Sequence, residues 1–260
     1  MNRKTFLWLL VAGLTTAAAW AQTADEIIDK HLQAVGGKDK LKAVQTERIT
    51  GKMVMGQGME APFTMEMERP NKMRMEFTVQ GMTGVQAFDG KTGWSVMPFM
   101  GKTEPEPMPA DEVKRMEEQA DIDGLLLDYK DKGRQVEYVG KEDLEGTPAH
   151  KLKVTQKNGD VVYVYIDADQ FLQLKQTGKT KIRGQEVESE TTFGDFKTVD
   201  GLLFPFSIEQ KAEGMPAGMV MTVSKIEVNP SLDDSRFTMP AAEKKEAPEP
   251  PKPPQPPQQD

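Results

Sequence analysis

The chain has 260 residues, no cysteine and a net charge of −8. That length supports one large β domain or two small ones. The absence of cysteine removes disulfides, thiol catalysis and thiolate metal sites together. The acidic balance argues against nucleic acid, whose phosphates call for a basic surface, and against lasting attachment to anionic lipid heads.

Arg3 and Lys4 open the chain, Thr5 to Trp20 is largely apolar, and Ala19-Trp20-Ala21 gives the small-x-small pattern of a secretory cleavage site. The apolar run is shorter than the about 20 residues a membrane span needs. Residues 1–21 are therefore expected to be a signal peptide. The mature protein is expected to start near Gln22, to carry −10, and to be a soluble periplasmic protein that visits membranes only transiently. Thr23-Ala24-Asp25-Glu26 then reads as a capping box. The helix it opens places Ile27, Ile28, Leu32 and Val35 near one face, and Gly36-Gly37 ends it. A short second turn follows around Leu41.

The period then changes from 3.6 to 2. Ile49, Met53, Met55, Phe63, Met65, Met67, Met73, Met75, Phe77 and Val79 occupy odd positions. Thr50, Lys52, Thr64, Glu66, Glu68, Lys72, Arg74, Glu76 and Thr78 occupy even ones. This is the pattern of strands with one dry and one wet face. Gly56-Gln57-Gly58 and Pro70-Asn71 supply turns, and Asp89-Gly90 marks a hairpin between Val85–Phe88 and Trp94–Met97. Pro98 to Pro109 holds four prolines and is expected to be irregular. Ala110 to Gln119 reads as a helix opened by Pro109, followed by the apolar plug Leu125-Leu126-Leu127.

Strands return at Val136–Val139, His150–Gln156 and Val161–Ile166, the last two joined by Asn158-Gly159. Phe171–Gln176, Lys181–Phe193, Leu202–Gln210 and Met219–Val228 follow, with Pro205 suggesting an edge or bulged strand. About ten strands result, antiparallel because their connections are short. Residues 241–260 are rich in proline, lysine, glutamate and glutamine, and are expected to form a disordered tail. The domain is then 22–240, α+β but mainly β.

Ten strands at about 4.8 Å spacing span roughly 45–50 Å, whereas a helix covers a strip about 10 Å wide. Two helices cannot hide such a face unless the sheet curls around them. Whatever they leave uncovered is a groove for an apolar ligand. There are 17 methionines, 11 of them between Met53 and Met108, and methionine suits surfaces that accept more than one shape. The expected groove residues are Met53, Met55, Phe63, Met65, Met67, Met73, Met75, Phe77 and Trp94. The expected lid is Pro109 to Leu127, with Met116, Leu125, Leu126 and Leu127. Acyl chains are the ligand this lining fits; ordinary core packing is the alternative. The Met-x-Met pairs also leave room for a Cu(I) site.

Catalytic patterns are missing: there is no nucleophile elbow and no zinc motif. The only two histidines, His31 and His150, have no visible partner, and His31 reads as a surface or boundary residue. Asp121-Ile122-Asp123-Gly124 and Asp167-Ala168-Asp169 lack the closing glutamate of a calcium loop. No enzyme, metal or cofactor is expected.

Four stretches carry a resemblance. They are Ala34-Val35-Gly36-Gly37, Asp89-Gly90-Lys91-Thr92-Gly93-Trp94, Gly201-Leu202-Leu203-Phe204-Pro205-Phe206, and Asn229 to Pro240 with Leu232, Asp233-Asp234, Phe237 and Pro240. In this order they make the chain similar to the LolA/LolB-like superfamily and, within it, to the outer-membrane lipoprotein-sorting proteins. The resemblance implies an incomplete half β-barrel with helices plugging its concave face. It also implies a non-enzymatic role in carrying lipoprotein or lipid acyl chains, or in sensing them as a scaffold for an envelope protein partner. An arginine governs cargo transfer in such carriers, and Arg48, Arg69, Arg74 and Arg183 are candidates for that role here.

Overall fold

The computed structural model describes residues 23–55, 58–182, 185–213 and 218–241. The expected signal peptide and nearly all of the proline-rich tail lie outside the described residues. So do Arg183 and the side chain of Met55.

Two short helices open the chain, α1 (Ala24–Ala34) and α2 (Lys38–Ala43). The capping box closes as the sequence implies: Glu26 N donates to Thr23 Oγ1, and Thr23 N donates to the Glu26 carboxylate. The chain turns at Gly36, where φ is +126° and an added Cβ would lie 2.7 Å from the Gly201 carbonyl oxygen. Only glycine permits that approach.

Twelve strands then zigzag with a thirteenth into one antiparallel sheet. The first six are β1 (Thr46–Met55), β2 (Met59–Glu68), β3 (Lys72–Val79), β4 (Met82–Phe88), β5 (Gly93–Met97) and β6 (Lys102–Pro107). Helix α3 (Ala110–Gln119) and a turn-rich connector follow. The rest are β7 (Gln135–Leu144), β8 (Thr147–Thr155), β9 (Val161–Asp167), β10 (Gln173–Ile182), β11 (Gln185–Val199), β12 (Leu202–Ala212) and β13 (Met219–Val228). Their spatial order is β6-β5-β4-β3-β2-β1-β13-β12-β11-β10-β9-β8-β7. The sheet is open, with β6 and β7 as its two edges.

That order forces the curl. Thirteen strands about 4.8 Å apart make an arc of about 58 Å. Yet residues 108–134 alone carry the chain from one edge to the other. Helix α3 packs Met116 and Val113 on the methionines of β2 and β3. It also reaches the β8–β9 turn, where Lys114 Nζ meets Asp160 Oδ2 at 2.9 Å. One helix can touch both halves only because the sheet wraps around it.

The core divides accordingly. Ile27, Ile28 and Leu32 of α1 join Leu126 and Leu127 of the connector over Leu152, Val154, Val164 and Ile166 of β8 and β9. Burial of each such side chain contributes about 1.5–3 kcal/mol. At the other end α3 plugs β2–β5, and Phe99 closes over Phe63 and Met53. On the outer face residues 229–237 form a clasp. Arg236 reaches Glu66 and Glu76, Arg74 donates to Arg236 O, and Trp94 Nε1 donates to Phe237 O at 2.8 Å.

Three sequence expectations need correction. The proline-rich stretch is not wholly irregular: after a 3-10 turn at Pro98–Met100 it forms β6. Its Pro105 and Pro107 are tolerated because β6 is an edge strand. The strand read as Lys181–Phe193 is really the end of β10 and the start of β11. Pro205 lies in a strand of the sheet interior, but the β12–β13 pairing covers only Ser207–Gln210, so the proline has no β13 partner to deprive of a donor.

Candidate functional site

In an antiparallel ladder, directly paired residues share a face, so the registers map the concave surface. One row runs Met53–Met221–Ile208–Phe193 across β1, β13, β12 and β11. Methionines also pair across β2 and β3, Met65 with Met75 and Met67 with Met73, and Phe63 faces Phe77. The expected odd-numbered residues thus do share one face. They do not line a hollow. Met67 is 7% and Met73 5% exposed, because Met108, Met116 and Ala120 pack on them; Met53 at 2% and Phe63 at 4% pack with Ala61, Val79 and Met221 under Phe99. Trp94 does not belong with them. It pairs with Ala87, which pairs with Arg74, so it lies on the outer face beneath Phe237.

The open space is elsewhere. A second row runs Tyr138–Leu152–Val164–Gln176–Thr191–Gln210–Met219 from β7 to β13. A third runs Val136–Val154–Val162–Gly178–Ser189–Ala212. Both rows are apolar under α1, then turn to amides, hydroxyls and very small side chains on β10–β12. Neither helical plug reaches that strip. Above it lies a cavity of about 850 Å³, roofed by α3 and the connector through Arg115, Glu118, Ile122 and Leu125. Along β12 its lining extends from Leu203 to Ala212, nine strand steps or about 30 Å. The space is therefore a trough that follows the strands.

The predicted lid divides in the same way. Leu126 and Leu127 are anchors, 3% and 1% exposed in the core. Met116 is buried against the methionines, and Leu125 alone of the four lines the trough. The connector is pinned by charge: Arg69 grips Asp123 with both terminal nitrogens and donates to the Val44 and Leu41 carbonyls. Lys132 and Arg134 hold Asp121. These aspartates serve salt bridges. Burial pulls the Asp123 carboxyl upward, but Arg69 and Lys132 outweigh it and hold it below its usual range.

Of the arginine candidates, Arg48 pairs with Glu66 and Arg74 with Glu76 on the outer face, and Arg69 is a structural pin. None of these three lines the trough, and Arg183 lies outside the described residues. The residue that sequence reasoning passed over is Arg115 of α3, half-buried in the trough wall. His31 is not a surface residue. It is 9% exposed, its Nδ1 donates to Phe171 O at 2.8 Å, and burial pushes its ring below the ordinary histidine range. His150 is also buried, stacked on Phe171 and 3.3 Å from the Tyr138 hydroxyl. Among the described residues no group of three metal-ligating side chains comes together.

No family model and no curated protein matches the chain in sequence. Solved structures do match in fold. A DUF1329 family protein from Desulfovibrio piger shows a TM-score of 0.58 at 12% identity, covering 84% of this chain and 98% of that one. A LolA superfamily protein from Nitrosomonas europaea gives 0.55 at 14%, covering 84% and 98%. A domain assigned to outer membrane lipoprotein sorting, from Vibrio parahaemolyticus, gives 0.55 at 12%, covering 82% and 94%. At these identities the likeness is one of architecture alone: the chain shares its fold with these three proteins.

Proposed function

We propose that the protein is an exported, non-enzymatic carrier that holds an acyl-chain ligand in the trough between α3 and β10–β12. The trough itself carries the reading. Its volume of about 850 Å³ lies within the roughly 300–1,000 Å³ of small-molecule sites. Its length of about 30 Å exceeds a lipid chain, which spans half of a hydrocarbon core about 30 Å thick. Burial of each methylene would contribute about 0.8 kcal/mol. The packed methionines of β2 and β3 adjoin the trough through α3. They form a deformable bed that a longer or second chain could enter by repacking.

The rims of the sheet support transient membrane contact. The β1–β2, β3–β4 and β5–β6 turns lie at one rim and expose Met59 (43%), Met82 (38%) and Met100 (69%). Residues 79–83 and 97–101 of those turns carry no charge. The turns of the opposite rim hold Arg69, Asp89, Lys91 and Asp200. The trough ends at the rim that exposes the methionines, beside Ala212 and Gly218, where the β8–β9 turn adds Lys157 and Asp160. Exposed methionines there would meet the lipid surface at the mouth through which cargo passes.

The test is a cavity-filling substitution. A fluorescent long-chain fatty acid analogue should bind the purified protein. Thr191→Trp, which blocks the trough, should weaken binding at least about 10-fold. Thr192→Trp, on the outer face, should leave binding unchanged. A wild-type protein that ignores the probe, or a Thr191→Trp variant that binds as well as wild type, would overturn the carrier reading.

A further inference from the structure

The charges around the trough are not evenly spoken for. Four acidic residues lie in its lining, and each has a cationic partner. Asp121 is held by Lys132 and Arg134, Asp160 by Lys114, Glu118 by Lys114, and Glu190 by Lys175. Four basic residues lie there too. Arg134 is committed to Asp121 and Lys211 to Glu209. Among the described residues Arg115 has no ion pair or side-chain hydrogen bond, and Lys179, next to the inward Gly178, points to the outer face. In a chain whose net charge is −8, this trough offers one uncommitted cation, Arg115.

Arg115 sits at one end. Lys114 and Glu118 fasten the middle of α3 to the β8–β9 turn, through Asp160 and Asn158, so Arg115 between them lies at the rim that holds this turn. The far end is different. Phe193, Phe196, Leu203, Pro205 and Leu125 line it, half-buried and with apolar surface left open. Between the two ends Gln176, Thr191 and Gln210 offer neutral hydrogen-bonding groups. The trough is thus polarised along its length: cationic, then neutral-polar, then apolar.

We propose that the trough selects an anionic amphiphile, with its carboxylate or phosphate head held at the rim end by Arg115 and its chain lying toward Phe193 and Leu203. The proposal rests on the carrier reading and adds the head group and the orientation. A guanidinium half-withdrawn from water favours a planar or tetrahedral oxyanion, to which it donates two parallel hydrogen bonds. A neutral head gains only the amide and hydroxyl contacts. The head at the rim also means that the chain enters first and the charge stays nearest to water, so no ion need cross the apolar end.

Three probes with the same chain decide the matter by calorimetry at low salt: palmitic acid, palmitoyl lysophosphatidic acid and monopalmitoylglycerol. At least one acidic probe should bind about 10-fold more tightly than the neutral one. Preference for the carboxylate or for the phosphate identifies the head. Arg115→Gln should bring that ratio to about 2-fold or less while the affinity for monopalmitoylglycerol holds, and Lys179→Gln, on the outer face, should leave it unchanged. Arg115→Lys should restore part of the preference. Equal binding of all three probes by the wild type, or a ratio that survives Arg115→Gln, overturns the head-group proposal and leaves the carrier reading in place. Failure of all three to bind overturns both.

Discussion

Phe237→Ala should lower the free energy of unfolding by about 4 kcal/mol, although the residue lies outside every strand. Phe237 is 0% exposed. Its ring stacks beneath the Lys72 ammonium, and its carbonyl accepts from Trp94 Nε1. It is the plug of the outer-face clasp, which spans β1 to β5 from Thr46, whose hydroxyl donates to Pro230 O, to Trp94. Removing the ring leaves a cavity over Ala87 and Trp94 in a part of the sheet that relaxes little, because Arg236 remains tied to Glu66 and Glu76. The chain has three tryptophans, at 8, 20 and 94, so a chain starting at Gln22 reports on this site alone. Urea unfolding should show a lower midpoint with unchanged slope, and the Trp94 emission should move to the red in the folded variant. A loss below about 1 kcal/mol, with the emission unmoved, would show that the clasp contributes nothing to stability.

The same residues show what was legible in advance. The Asn229 to Pro240 stretch carried part of the resemblance to the LolA-like proteins, and it is this clasp; its role on the outer face could not be read because it depends on which residues pair across five strands. Helix α3 was legible to the residue, since Pro109 fixes its start and the apolar positions repeat at helical spacing. The curl was legible from the mismatch between sheet width and helix number. The expected groove residues are mostly packed, and the open space lies over other strands. Alternation identifies a dry face, and the methionines stand on it, but alternation does not say which part of that face a helix will cover. A subtler signal lay in β10 to β12. There the outward positions are charged (Lys175, Lys179, Glu188, Glu190, Glu209, Lys211), whereas the inward ones are polar yet uncharged (Gln176, Ser189, Thr191, Gln210). Uncharged polar residues facing inward, with Gly178 and Ala212 beside them, are the imprint of a surface that is covered but not packed. Arg115 carried no signal at all, because a basic residue on an amphipathic helix looks the same whether it faces solvent or a trough.

Glu47→Gln should stabilise the protein by an amount that grows from about pH 4.5 and is complete above pH 7. Glu47 is 7% exposed and pairs with Met67 on the concave face, so its carboxyl sits against sulfur and hydrocarbon. Burial pushes its pKa up to about 7, with Arg69 pulling it down and Asp123 pushing it up. Arg69 gives little relief because its donors are already engaged by Asp123, Val44 and Leu41. Below about pH 4.5 the carboxyl is protonated in both the folded and unfolded chain, so the substitution changes nothing there. Between that pH and 7 the unfolded chain releases the proton while the folded one keeps it, so stability falls as pH rises. Above pH 7 the folded protein holds a buried, unpaired carboxylate, at a cost of about 3 kcal/mol. Glutamine never ionises. The variant should therefore match the wild type at pH 4 and exceed it by about 3 kcal/mol at pH 8, as read from urea midpoints. A gain of equal size at both pH values would mean that the charge is not the cause. The residue also stands beside the Arg69–Asp123 pin that holds the connector over the trough. Ionisation of Glu47 sets a second anion beside that arginine, which Asp123 already engages.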